Sequence, residues 1–196
     1  MATKGEQTRE KILAEARQIF KRKGIRATTI NDLLEAAGIT KGNLYFHFSD
    51  KEAIGLEVLK REQRLFYDFL DQAFSGKSAA AGLDNFFCKA LEKHRQQSFV
   101  GGCLFGNTAL ETSDTAPLFA ALVQEVFAEW INVFAEKIAA AQTARQIRTD
   151  LPAGELAELA VVTIEGGIML SRLQKSEIPL KRSLETLRKV LELKTK

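Results

Sequence analysis

The apolar residues of this chain recur at helical spacing almost from end to end, and no stretch alternates with the period of two that a half-buried strand shows. Ile12, Leu13, Ala16, Ile19 and Phe20 fall on one stripe of a helix predicted over residues 6–23. Lys21-Arg22-Lys23 sit in its last turn, where positive charge complements the helix dipole, and Gly24 ends it. Two short helices are then predicted within residues 28–51, TTINDLLEAAGITKGNLYFHFSDK. Thr28-Thr29 offers an N-cap, and Thr29 stands three residues before Asp32, the spacing of a capping box. The apolar run Ile30, Leu33, Leu34, Ala36, Ala37 stops at Gly38, which turns the chain with positive φ at little cost. Ile39 plugs back towards the core, Thr40 caps the second helix, and Lys41-Gly42-Asn43 form its first turn.

A long helix over about 50–75 follows, capped by Ser49-Asp50 and striped by Val58, Leu59, Leu65, Phe66, Phe69, Leu70 and Ala73. Residues 75–82 read as a loop. Further helices are predicted at about 79–97, 103–112, Pro117 to 142, Pro152 to 173 and Pro179 to 193, each proline suiting a first turn that leaves its N–H unpaired. The 117–142 helix is the most apolar, as befits a central one. The expected fold is all-α, with a small N-terminal helix-turn-helix domain (1–48) and a larger helical domain (49–196).

Composition changes this picture little. Hydrophobic content of 45% and charged content of 27% are those of an ordinary globular protein. No apolar run reads as a membrane span, and MATKGEQTREK has no apolar signal core, so a cytoplasmic location away from any membrane is expected. Cys88 and Cys103 do not form a disulfide framework and read as reduced thiols, Cys88 within the core. Charge adds more. Residues 1–48 hold nine Lys/Arg against five Asp/Glu, and the remaining 148 hold 19 against 20, so the whole positive excess lies in the first quarter. That fits a phosphate-facing module, and equally a solvated basic helix face.

Helix, glycine-containing turn and second helix make up a helix-turn-helix, whose second helix puts its N-terminal residues against base edges in the major groove. Lys41 and Asn43 can hydrogen-bond such edges, Lys most readily to guanine and Asn to adenine, while Gly42 lets the backbone come close. Thr29 can present a hydroxyl or neighbouring N–H groups to a phosphate. Leu44, Phe46 and Phe48 are expected to hold the reading helix in place. An enzyme is disfavoured: the two histidines, His47 and His94, are far apart, and there is neither a phosphate-binding glycine loop nor a nucleophile elbow. No cofactor or metal is implied. A helical interaction module that does not bind DNA stays open as an alternative.

Residues 8–54 resemble the DNA-binding domain of TetR-family transcriptional regulators. The match runs from Thr8-Arg9 and the stripe ending at Phe20, through Gly24, Thr28-Thr29 and Ala36-Ala37-Gly38, to Lys41-Gly42-Asn43-Leu44-Tyr45-Phe46-His47-Phe48 and Lys51-Glu52. The resemblance implies about nine helices per subunit, a homodimer on a palindromic operator, and a small-molecule effector whose binding releases double-stranded DNA, with residues 49–196 as the regulatory, ligand-binding and dimerisation domain. By position it implies base contacts at Lys41, Gly42 and Asn43, and phosphate contacts at Thr28, Thr29, Thr40, Tyr45, His47 and Lys51.

Gly101-Gly102-Cys103-Leu104-Phe105-Gly106-Asn107 with Glu111 resembles a GC-L-x-x-N segment that opens the sixth helix in one branch of that family. Members of that branch answer to apolar or aromatic ligands, or to oxidants and electrophiles through the cysteine, so Cys103 reads either as a sensor or as a small buried hydrophobe. Phe87, Cys103, Asn107, Glu111, Phe127, Trp130 and Glu165 are candidate pocket residues. Gly166-Gly167 inside a helix imply close approach of another helix, because each glycine costs about 1 kcal/mol there relative to alanine. The resemblance puts the dimer interface on the last two helices. The expected contacts are Gly166, Gly167, Ile168, Leu184, Leu187 and Leu191.

Overall fold

A computed structural model describes residues 3–194, and those residues form helices and connecting turns only. The helices are α1 (Lys4–Lys23), α2 (Ile30–Ala37), α3 (Lys41–His47), α4 (Lys51–Ala73), α5 (Ala79–Gln96), α6 (Leu104–Thr112), α7 (Pro117–Thr143), α8 (Ala153–Gln174) and α9 (Ile178–Val190). The all-α architecture is the one the periodicity predicts. Most boundaries fall within two residues of those expected, because Gly24, Gly38, Pro117 and Pro152 act locally at the chain positions where they occur.

The chain divides into two compact units. The first takes everything up to Arg64 together with Leu104–Val123, and the second takes Leu65–Cys103 together with Gln124 onward. In the first unit, Ile12, Leu13, Ala16 and Phe20 of α1 are buried with Leu33 and Ala37 of α2, Leu44 of α3, and Ile54, Val58 and Leu59 of α4. Thr3 and Glu6 cap α1 reciprocally, and the Asp50 carboxylate accepts the Ala53 N–H at 2.7 Å at the head of α4. Glu62 on α4 is buried beneath two cations of α1, Arg17 and Lys21. Burial alone pushes its carboxyl up, but the Arg17 hydrogen bond and both positive charges outweigh that and hold it ionised, below its ordinary range. Gly55 lies under the Phe119 ring, where an added Cβ would approach two ring carbons to 2.9 Å.

The second unit is built on aromatic rings. Phe86 contacts Phe69, Phe74, Phe87, Trp130 and Phe134, mostly edge to face, and Phe86, Phe87 and Phe134 are fully buried. Helices α8 and α9 pack closely. A Cβ on Gly167 would come within 3.0 Å of the Ser183 Cβ and 3.1 Å of Leu180, so glycine is what permits that approach.

Three expectations need correcting. Helix α7 is long and apolar enough, by length and composition, to pass for a membrane span; here Phe119, Leu122, Val126, Trp130, Phe134 and Ile138 are buried against protein. Cys88 is exposed rather than core, its sulfur accepting from the Arg188 guanidinium at 3.4 Å. Phe46 does not help hold α3: it is 82% exposed, while Leu44 and Phe48 are buried at 0% and 6%.

Candidate nucleic-acid interface

Helix α3 is two turns long and is held from one side. Leu44 faces the core, and Phe48 follows the helix in extended conformation and turns its ring inward, where Arg9 stacks 5.1 Å from the ring centroid. The Thr40 hydroxyl accepts the Asn43 N–H at 3.3 Å and so caps the first turn. Lys41, Gly42, Asn43, Tyr45 and Phe46 are then all exposed. The Lys41 ammonium lies 5.9 Å from the Tyr45 ring, and His47 meets the Phe46 ring edge-on at 5.0 Å. A cation, a bare glycine, an amide and a phenol on one short helix can donate to and accept from base edges and phosphates.

Thr28 and Lys51 are engaged inwardly, and the exposed Thr29 is engaged locally. Thr28 is 1% exposed and donates its hydroxyl to the Gly24 carbonyl at 2.5 Å. Thr29 completes the capping box of α2: its hydroxyl donates to Asp32 at 2.8 Å and accepts the Asp32 N–H at 3.1 Å. The Lys23 ammonium, then the Thr29 N–H and hydroxyl, bring the Asp32 carboxyl down to about 2. Lys51 donates to three carbonyls at once, those of Ile25 at 2.9 Å, Arg26 at 3.0 Å and Thr28 at 2.7 Å. Partial burial lowers its pKa, opposed by Glu111 and Glu52. Three carbonyls thus match the three ammonium protons and tie Lys51 to the α1–α2 loop.

Sequence reasoning missed a latch on the same loop. Glu111, near the end of α6, accepts the Arg26 N–H at 3.1 Å, and the Arg26 guanidinium returns a bond to the Glu111 carbonyl at 3.2 Å. The segment around Glu111 points to a ligand pocket, and nothing in its spacing names a partner 85 residues upstream. The other pocket candidates separate. Asn107 lies in the first unit with Glu111, whereas Phe87, Cys103, Phe127, Trp130 and Glu165 lie in the second. Phe87 is wholly core, packed under Arg188. Phe127 stacks on Trp130 at 6.0 Å, and the Trp130 Nε1–H is buried with no acceptor among the described residues. Glu165 is hydrogen-bonded by the Cys103 thiol, yet its Oε1 is enclosed with no partner among the described residues; burial pushes its pKa up to about 7 against the lowering effect of Cys103.

The residues expected at the dimer contact divide as well. Ile168, Leu184, Leu187 and Leu191 are buried within the chain's own core, and Gly167 is filled by α9. Gly166 faces open space, flanked on its side of α8 by exposed Leu159, Val162, Met169, Leu170 and Leu173. Helix α8 is thus apolar on two opposite faces, one packed and one bare.

Residues 12–58 match the family of bacterial regulatory proteins, tetR family, and residues 79–186 match the C-terminal domain of LmrA/YxaF-like transcriptional regulators. The chain is 28% identical over 182 residues to the HTH-type transcriptional repressor DhaR of Mycobacterium sp., covering 90% of this chain and 88% of that protein. It is 31% identical over 160 residues to the transcriptional regulator AcuR of Cereibacter sphaeroides, covering 81% and 73% of the two chains. Among solved structures, a TetR transcriptional regulator from Chloroflexus aurantiacus superposes with a TM-score of 0.87 at 29% identity over 96% of each chain.

Proposed function

From a chain that belongs to the TetR family of DNA-binding transcriptional regulators, and is not an enzyme, we infer a repressor. It binds a palindromic operator as a dimer in the cytoplasm and lets go when a small apolar or aromatic effector binds. The observation that carries the reading is the outer face of α3. Lys41, Gly42 and Asn43 are exposed there and anchored from behind by Leu44, so they supply the base contacts. Tyr45 and His47 on the same helix, together with Thr29 and Thr40 at helix N-termini, supply phosphate contacts that set register.

The bare apolar face of α8, centred on Gly166, is the dimer contact in this reading. Pairing two copies would present two reading helices about 34–36 Å apart, one turn of DNA. The second unit receives the effector near Trp130 and Glu165, two buried polar groups each with an unpaired atom. An effector works by preferring the arrangement that no longer fits adjacent grooves, which is a shift of population and requires differential affinity.

The test is fluorescence anisotropy with the intergenic DNA beside the gene, at low and physiological salt, with and without candidate effectors. Absence of binding even at low salt overturns the reading. One contact favours a second version of the signal: the half-buried Cys103 thiol donates to a carboxyl whose pKa of about 7 lets it take a proton. Release by oxidants or electrophiles that disappears in Cys103→Ser would establish thiol sensing, and release that survives it would exclude it.

A further inference from the structure

We propose that Phe46 is a specificity-determining residue that reads the 5-methyl group of a thymine in the major groove, in addition to the polar contacts assigned to Lys41, Gly42 and Asn43. The proposal rests on α3 being the DNA-reading helix, as inferred above. Within that reading it comes from where Phe46 points. Leu44 marks the inward direction of α3, being fully buried. Residues two before and two after it lie about 160–200° around a helix of 3.6 residues per turn, which makes Gly42 and Phe46 the outermost positions. Gly42 has no side chain, so Phe46 is the group that projects farthest from that face.

Its chemistry then narrows the partner. The ring is 82% exposed on a helix whose other exposed members are polar or bare. His47 packs edge-on against it, with centroids 5.0 Å apart, which restricts the ring to one side. An apolar ring cannot hydrogen-bond a base edge or a phosphate. The apolar feature of the major groove is the thymine methyl, and contact with it is a recognised means of distinguishing T from the other bases. Phe fixes only two torsions on binding, so ordering it costs little.

The experiment uses the full-length protein and duplexes it selects from a random-sequence pool. Each thymine of a selected duplex is replaced singly by deoxyuridine, which keeps every hydrogen-bonding group and removes only the methyl. The expected result is one position in each half-site at which the wild type loses about fourfold in affinity, the effect of one buried methyl. Phe46→Ala should bind the thymine duplex more weakly and bind the thymine and deoxyuridine duplexes equally at that position. Its salt dependence should not change, since no phosphate contact is involved. Phe46→Leu should keep part of the discrimination, which separates contact with the methyl from any effect on folding. A wild type indifferent to deoxyuridine everywhere, or a Phe46→Ala variant that keeps the wild-type ratio, would overturn the proposal while leaving DNA binding standing. Failure to select any duplex would overturn DNA reading itself, and this proposal with it.

Discussion

Gly24 and Glu111 occupy adjoining space so closely that a Cβ on residue 24 would lie 2.8 Å from the Glu111 carboxyl carbon. The glycine holds φ +87, a conformation L side chains rarely adopt, and its carbonyl accepts from the buried Thr28 hydroxyl. Glu111 meanwhile accepts the Arg26 N–H, and Lys51 takes the carbonyls of residues 25, 26 and 28. The loop leading into α2 is held by α6 and α4 through polar bonds at nearly every residue.

Gly24→Ala is expected to cost about 1–3 kcal/mol through backbone strain, read as a lower urea midpoint. Crowding and strain can be separated by a double-mutant cycle. Adding Glu111→Ala should recover only the crowding, because the positive φ remains. Full recovery would mean that the conformation of residue 24 contributes nothing.

Lys51→Met removes three hydrogen bonds from a charged donor and leaves carbonyls facing an apolar side chain. A loss of about 1–3 kcal/mol in unfolding free energy is expected. Operator affinity should fall because the loop loosens, yet the slope of log affinity against log salt should be unchanged. A lysine on a phosphate would instead lower that slope by about 0.9. That slope is the measurement that assigns Lys51.

Glu165 ties stability to pH in an unusual direction. Its folded pKa of about 7 lies above the ordinary 4.5, so between those values the folded state binds the additional proton. The stability contributed by Glu165 is therefore fully present below about pH 4.5 and is lost as pH rises through 7, by on the order of 3 kcal/mol. Glu165→Gln should flatten that segment of the profile and leave the protein more stable than wild type at pH 8. Unfolding curves at pH 5, 7 and 8 decide it, and parallel wild-type and variant profiles would refute it.

The two faces of α8 and its neighbour α9 should respond differently to substitution. Val162→Glu or Leu173→Glu places charge on the bare face beside Gly166 and is expected to yield folded monomers in sedimentation, with weakened operator binding. Leu184→Ala removes a fully buried side chain and should lower unfolding free energy by about 2–5 kcal/mol, with no selective effect on subunit assembly. A dimer that survives both charge substitutions would place its contact elsewhere.

What could be read from the sequence were the features whose cause is local. The Thr29–Asp32 capping box, the left-handed Gly38 and the Asp50 cap each involve residues three or so apart, and spacing reveals them. Lys51 and Glu111 could not be read this way, because their partners lie 23 to 26 and 85 residues away and periodicity says nothing about such pairs. Ile168 and Leu184 were apolar on the correct helices, but period alone does not say which of two apolar faces the chain covers itself. Phe46 is different. Leu44, Phe46 and Phe48 are spaced by two, which cannot share a face of one helix, so the pattern itself indicated that one of them points outward. Phe48 escapes by lying just beyond the helix end.

Because the unit that holds α3 takes in Leu104–Val123 as well as the first 64 residues, it cannot be transplanted as a single cut of chain. A graft severed after Arg64 would carry the reading helix but strip Glu111 from the Arg26 N–H and lift Phe119 off Gly55. The transferred piece would arrive with an open apolar scar and a slackened loop ahead of α2. Swapping operator preference between such proteins therefore calls for exchanging residues on the face of α3, or for moving two separate stretches of chain together.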